Sequence, residues 1–305
     1  MNIIRPVTIN DSVLAVSNIT ENDEAEWDDT KSDYAKNDRV MITSDTVHSI
    51  YIALQTPPAG QDPALEVDPR NPVYWARVSA TNKWAMFSNQ ISDQSENAAK
   101  IEVELTAGAL VNSMALFNIA GSSVDITVTD PTDGVVYDES ISLVDDSGVN
   151  DWYAWYFEPI SREATVAILD LPPYPSATIK IVINEAAGIA KCGLITMGAL
   201  RELGVTTHGT SIGIQDYSRK EPDAFGNPII IKRNFANTVD YAVSIETNYA
   251  GIIQRTLADF RTEPMAWIGS VNSPGTIVYG YYQDFNIVLS TPTRSDLSIE
   301  VQGLT

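Results

Sequence analysis

Apolar residues recur at every second position in run after run of this chain. Ile101, Val103 and Leu105 form one set, Val124, Ile126 and Val128 a second, and Ile179, Ile181 and Ile183 a third. Side chains along a strand point alternately to its two faces, so each run describes a strand buried on one face and wet on the other. No helix is read in this segment. Asp133-Gly134 stands between two strand-like runs, the composition of a tight hairpin turn. The proline-rich DLPPYPS (170–176) ends one element before the last alternating strand begins. Short strands at this spacing predict an antiparallel, jelly-roll-like β-sandwich over residues 81–202.

The final third reads differently. IQDYSRKEPDAFGNPIIIKRNF (214–235) describes two strands around a turn at Phe225-Gly226-Asn227-Pro228, and Val239, Tyr241, Val243 and Ile245 share one face of the next strand. A helix is expected over 248–263. Ile252, Ile253, Thr256, Leu257 and Phe260 make its apolar stripe, Thr247 or Asn248 its cap, and Pro264 its limit. A long strand follows, with Ile277, Tyr279, Tyr281, Phe285, Ile287 and Leu289 in phase, and DLSIEVQGL closes the series. One helix packed across a β-sandwich or split barrel accommodates this order over 203–305.

Two regions precede the sandwich. Val7, Ile9, Val13, Leu14 and Val16 place short strands in an N-terminal arm, residues 1–21, suited to strand addition to a neighbouring subunit. Residues 22–80 form a small β module. Its strands are Arg39–Thr43, Ser49–Gln55 and Val73–Val78, with a proline-rich loop before the last.

Charge narrows the function. The chain carries 40 acidic and 19 basic residues, a net charge of −21. Residues 1–80 contribute −7, residues 81–200 −11 and residues 201–305 −3. Phosphate neutralisation needs clustered Lys and Arg, so no specific nucleic-acid binding is expected, and an anionic membrane surface is equally unsuited. No apolar run is long enough for a membrane-spanning helix, and the first sixteen residues lack the apolar core of a secretory signal. The single cysteine, Cys192, reads as a buried small hydrophobe and excludes an internal disulfide.

Motifs for chemistry fail on context. Gly209–Gly213 matches G-x-S-x-G beside His208, but a strand-like run follows Ser211 where a helix is needed, and no histidine lies further on. The two histidines and one cysteine show no metal-ligand spacing. Asp28-Asp29, Asp130/Asp133/Asp138 and Asp145-Asp146 with Asp151 resemble oxygen-rich loops, yet none fits a calcium-binding frame and turn-forming Asp needs no metal. No phosphate-cradling glycine motif occurs. The reading is a non-enzyme without cofactor or metal.

Aromatic residues cluster twice. Trp27, Tyr34 and Trp75, beside polar loops, are candidate glycan contacts, since flat exposed rings stack on sugars. In NDWYAWYFEP (150–159), Trp152, Tyr153, Trp155 and Tyr156 are candidate subunit-interface residues; strand-like alternation would bury one face and leave the other to be covered.

Trp27, the run YAKNDRV (34–40), Tyr51–Leu54, the proline-rich loop and Trp75 resemble a small carbohydrate-binding module of the chitin-binding type, with Asn37 where that family has Gly. Over nearly its full length the chain resembles structural proteins of the neck and tail of tailed bacteriophages. The stretches that carry this are NPVYWARVSATNKWAMF (71–87), NDWYAWYFEPI (150–160), DLPPYPSATIKIVI (170–183), GIQDYSRKEPDAFGN (213–227) and YGYYQDFNIVLS (279–290). The resemblance implies a virion component assembled in the host cytoplasm as a homo-oligomeric ring against adjacent neck or tail proteins, with a tail-tube-like C-terminal domain. The alternative it leaves is host recognition, with the N-terminal module binding glycan.

Overall fold

A computed structural model describes residues 1–44, 46–65, 68, 70–145, 151–157, 161–222, 225 and 227–304. The chain is mainly β. A five-stranded antiparallel sheet runs, in spatial order, Leu14–Ser17, Ser95–Leu105, Thr178–Cys192, Ser123–Asp130, Gly134–Ser142. The three alternating sets lie here side by side, with Ile181 opposite both Val103 and Ile126. Their inward faces are buried against Met114, Leu116, Ile195 and Met197 from a second sheet, which makes the sandwich. Each such aliphatic side chain stabilises the fold by roughly 1.5–3 kcal/mol. Cys192 is buried in the same cluster, and desolvation pushes its thiol up to about 12.

The second sheet has ten strands and does not stop at the charge boundary near residue 203. Its order is Thr165–Ile168, Ser113–Phe117, Leu194–Glu202, Asn2–Pro6, Met265–Ile268, Ile277–Val288, Arg294–Gly303, Phe235–Glu246, with Val205–Thr206 and Ser211–Asp216 both paired to the last of these. The strand Asn2–Pro6 therefore joins the sandwich half to the C-terminal half. This corrects the expectation of a free N-terminal arm for its first strand: Asn2–Pro6 pairs antiparallel with Leu194–Glu202, and Asn2–Ile4 also with Met265–Ile268, whereas Leu14–Ser17 lies at the edge of the five-stranded sheet. Ile3 and Ile4 are both fully buried, Ile3 on the helix-covered face and Ile4 on the opposite face with Phe117, Ile268 and Tyr279. Gly198 opposes Pro6, and a Cβ there would stand 1.8 Å from the Arg5 carbonyl oxygen, so the register requires glycine.

The helix is shorter than its sequence pattern suggests. A 3₁₀ turn over Thr247–Tyr249 leads into Ala250–Asp259, and Arg261 donates from Nη1 to the Ala258 carbonyl just past its end. Ile253, Leu257 and Phe260 pack on Val243, Trp267 and Leu297, whereas Ile252 faces solvent. Neither Thr247 nor Asn248 caps it. The Thr247 hydroxyl donates instead to the Thr291 carbonyl, tying the turn to the final hairpin.

Residues 22–80 hold a three-stranded sheet, Arg39–Ile42, Ser49–Ala53 and Trp75–Ala80, around Tyr34, Val40, Ile42, Tyr51 and Trp75. Asn37 adopts φ +74°, the left-handed turn for which it or glycine suits. At the joint with the sandwich, His48 is buried against Trp84, with ring centroids 4.6 Å apart. Its Nδ1 lies 2.7 Å from Glu21 and its Nε2 3.2 Å from Asp11.

Candidate subunit interface

A long hairpin that leaves the ten-stranded sheet carries one of two exposed apolar surfaces, the other being the aromatic segment Trp152–Phe157. Ser211–Asp216 pairs with Phe235–Asp240 in register, and the ladder resumes with Arg219–Pro222 against Pro228–Ile231. Between them the Tyr217 amide donates to the Asn234 carbonyl and the Arg233 amide to the Ser218 hydroxyl, which holds the two parts together across the irregularity. The neighbouring strand Arg294–Gly303 pairs with Phe235–Glu246 only from Thr238 onward, so beyond that point the hairpin has no third strand among the described residues. We call this projecting part, residues 217–233, the arm. At the rise of an extended strand, Tyr217 to Pro222 alone reaches roughly 15–20 Å. Its base is fixed by Gln302, whose Nε2 donates to Gln215 and to the Tyr217 hydroxyl.

The arm is apolar and basic at once. Ile229, Ile230 and Ile231 are each about half exposed or more, and Phe225, in the connection, is 92% exposed. Ile212, Ile214 and Phe235 extend the apolar surface to the base. Of the expected turn Phe225-Gly226-Asn227-Pro228, Gly226 lies outside the described residues. Arg219 pairs with Glu221 at 2.6 Å and Lys220 with Asp216 at 2.7 Å, all within the hairpin. The Lys220 ammonium, followed by the Ser218 hydroxyl and amide, holds the Asp216 carboxyl well below the usual carboxylate range. Such exposed pairs stabilise little, ~0–1 kcal/mol, so they shape the arm rather than anchor it.

The second aromatic cluster departs from its expected form. Trp152–Phe157 is a short helix, not an alternating strand. Rings four residues apart meet on the helix surface: Trp152 lies 6.5 Å from Tyr156 and Tyr153 4.9 Å from Phe157. Trp152, Tyr153, Trp155 and Tyr156 are all more than 60% exposed. Asn150, Glu158 and Pro159 of this stretch lie outside the described residues, as does Asp146 of the acidic set around it.

The candidate glycan contacts fare otherwise. Tyr34 and Trp75 are buried and meet edge to face at 5.4 Å, and Trp75 donates from Nε1 to the Gln61 carbonyl. With their faces inside the module core, they offer no flat platform for a sugar, which corrects that expectation. Trp27 packs against the same core and is half-buried. The module has too few aliphatic residues to fill its centre, so aromatic rings do so.

Other sequence motifs resolve into local structure. Ser211 opens a strand, and its hydroxyl donates to Asp240 at 3.0 Å rather than to a histidine. Asp28 accepts from the Thr30 amide and hydroxyl, and Asp130 from the amides of Thr132 and Asp133, each closing a turn. Among the described residues no group of three His, Cys, Asp or Glu side chains is placed to hold a metal ion, and no helix is long and apolar enough to cross a membrane. No protein-family model matches the chain, and no curated protein matches it.

Proposed function

We propose that this chain is a structural component of a tailed-phage virion, a ring-forming neck, collar or tail protein that assembles through its β-rich domains. The observation that carries the assembly role is the arm: three consecutive isoleucines, each about half exposed or more, on a hairpin that projects from the sheet. A contiguous exposed apolar patch of this kind marks an interaction site. A ring subunit needs two unlike faces, because a heterologous contact that closes on itself makes a ring. A projecting arm provides one such face. The resemblance to neck and tail proteins over nearly the full length supplies the setting, and the large acidic excess keeps a high-copy subunit soluble until it assembles. Burial of Tyr34 and Trp75 counts against host recognition through the N-terminal module.

Light scattering of the purified chain, with negative-stain images of the same sample, tests this reading. Closed rings of one size are expected as concentration rises. A chain that stays monomeric up to its solubility limit overturns it.

A further inference from the structure

The distribution of charge along the chain points to where the arm docks. Residues 101–161 contain eleven acidic residues and no Lys, Arg or His, whereas residues 217–233 contain four basic residues and two acidic ones. The basic side chains of the arm do not meet that stretch in their own chain: Arg219 and Lys220 pair within the hairpin, and Lys232 and Arg233 form no ion pair among the described residues. The base-free stretch also carries an unpaired strand edge. Gly134–Ser142, nine residues long, pairs only with Ser123–Asp130, and its other edge takes no strand among the described residues. Val135 on it is 62% exposed. Glu139 opposes the buried Ile126, so a carboxylate stands on the core-facing side of this edge, held by the Tyr137 hydroxyl. A charge in that position rejects like-charged strands, a second copy of the same edge included, and favours a strand that brings basic groups.

We infer that the arm of one copy adds to the open edge of Gly134–Ser142 on a second copy. Backbone hydrogen bonds continue the five-stranded sheet, and Arg219, Lys220, Lys232 and Arg233 face Asp133, Asp138 and Glu139. The contact is heterologous, arm to edge, so each copy has one of each to offer. This inference rests on the arm being an assembly element.

Charge reversal tests both separately. One variant carries Arg219→Glu, Lys220→Glu, Lys232→Glu and Arg233→Glu; a second carries Asp133→Lys, Asp138→Lys and Glu139→Lys; a third combines all seven. Circular dichroism and melting establish that each is folded. Light scattering is expected to show each single-site set weakening self-association by roughly a hundredfold or more, with the third variant, and an equimolar mixture of the first two, regaining it. If the arm-reversed variant associates like wild type, the arm is not the assembly element and the whole reading falls. If the arm variant fails but the edge variant associates normally, the arm stands and its docking site lies elsewhere, which overturns this inference alone. A combined variant that does not recover, although folded, overturns it too.

Discussion

Two short segments of this protein share a local sequence and differ in everything else. Asn2–Pro6 carries Ile3-Ile4, and Pro228–Ile231 carries Ile229-Ile230-Ile231. Consecutive apolar residues on a strand need both faces covered, because neighbours along it point opposite ways. In the first segment the chain meets that need itself, with a strand on each side and a core on each face. In the second there is a single partner strand among the described residues, and all three isoleucines are about half exposed or more. The lesson is physical. Identical chemistry marks a keystone of the fold where the chain completes the surroundings, and a docking element where it leaves them for another chain.

The largest expected effect lies in the keystone. Ile4→Ala removes a side chain fully buried between strands from both halves, and should lower the unfolding free energy by about 3–4 kcal/mol in denaturant melts. Ile230→Ala, the same change in the arm, should shift that melt by less than ~0.5 kcal/mol while weakening self-association. Equal losses of stability at the two sites would break the comparison. Next comes Gly198→Ala, whose new methyl group meets the Arg5 backbone and must displace Asn2–Pro6; a loss of about 1–3 kcal/mol is expected by the same assay. A smaller chemical readout concerns the sandwich core. With its thiol raised and buried, Cys192 should resist alkylation at pH 8 in the native chain and react fully once unfolded. Since its folded pKa lies above the unfolded value near 9, it costs stability only as pH rises past that value, not at neutrality.

How much of this was legible in advance follows from range. The alternating strands could be read because period two is a local signal, and Ile101, Ile126 and Ile181 are buried as their spacing suggests. The place of Asn2–Pro6 could not be read, because its partners lie nearly 200 and more than 260 residues away and its adjacent isoleucines show no period. His48 is the same case: the histidine was visible, but Asp11 and Glu21 reach it only through the fold. The run WYAWYF is ambiguous for another reason. Almost every position is aromatic, so it satisfies a strand and a helix equally, and only the ring pairs at a spacing of four show which forms. The helix was visible in outline, yet its start is set by the Thr247 bond to Thr291 rather than by a local cap. For the candidate interface, composition alone does not distinguish Ile229–Ile231 from a core strand; their exposure does.

The most direct measurement is amide hydrogen exchange of the purified chain, followed by mass spectrometry at low and at high protein concentration. The account predicts that peptides covering residues 217–233 exchange rapidly when dilute and slow markedly when concentrated, while Asn2–Pro6 stays protected throughout. Rapid exchange in the arm at every concentration would contradict the claim that it is an assembly element.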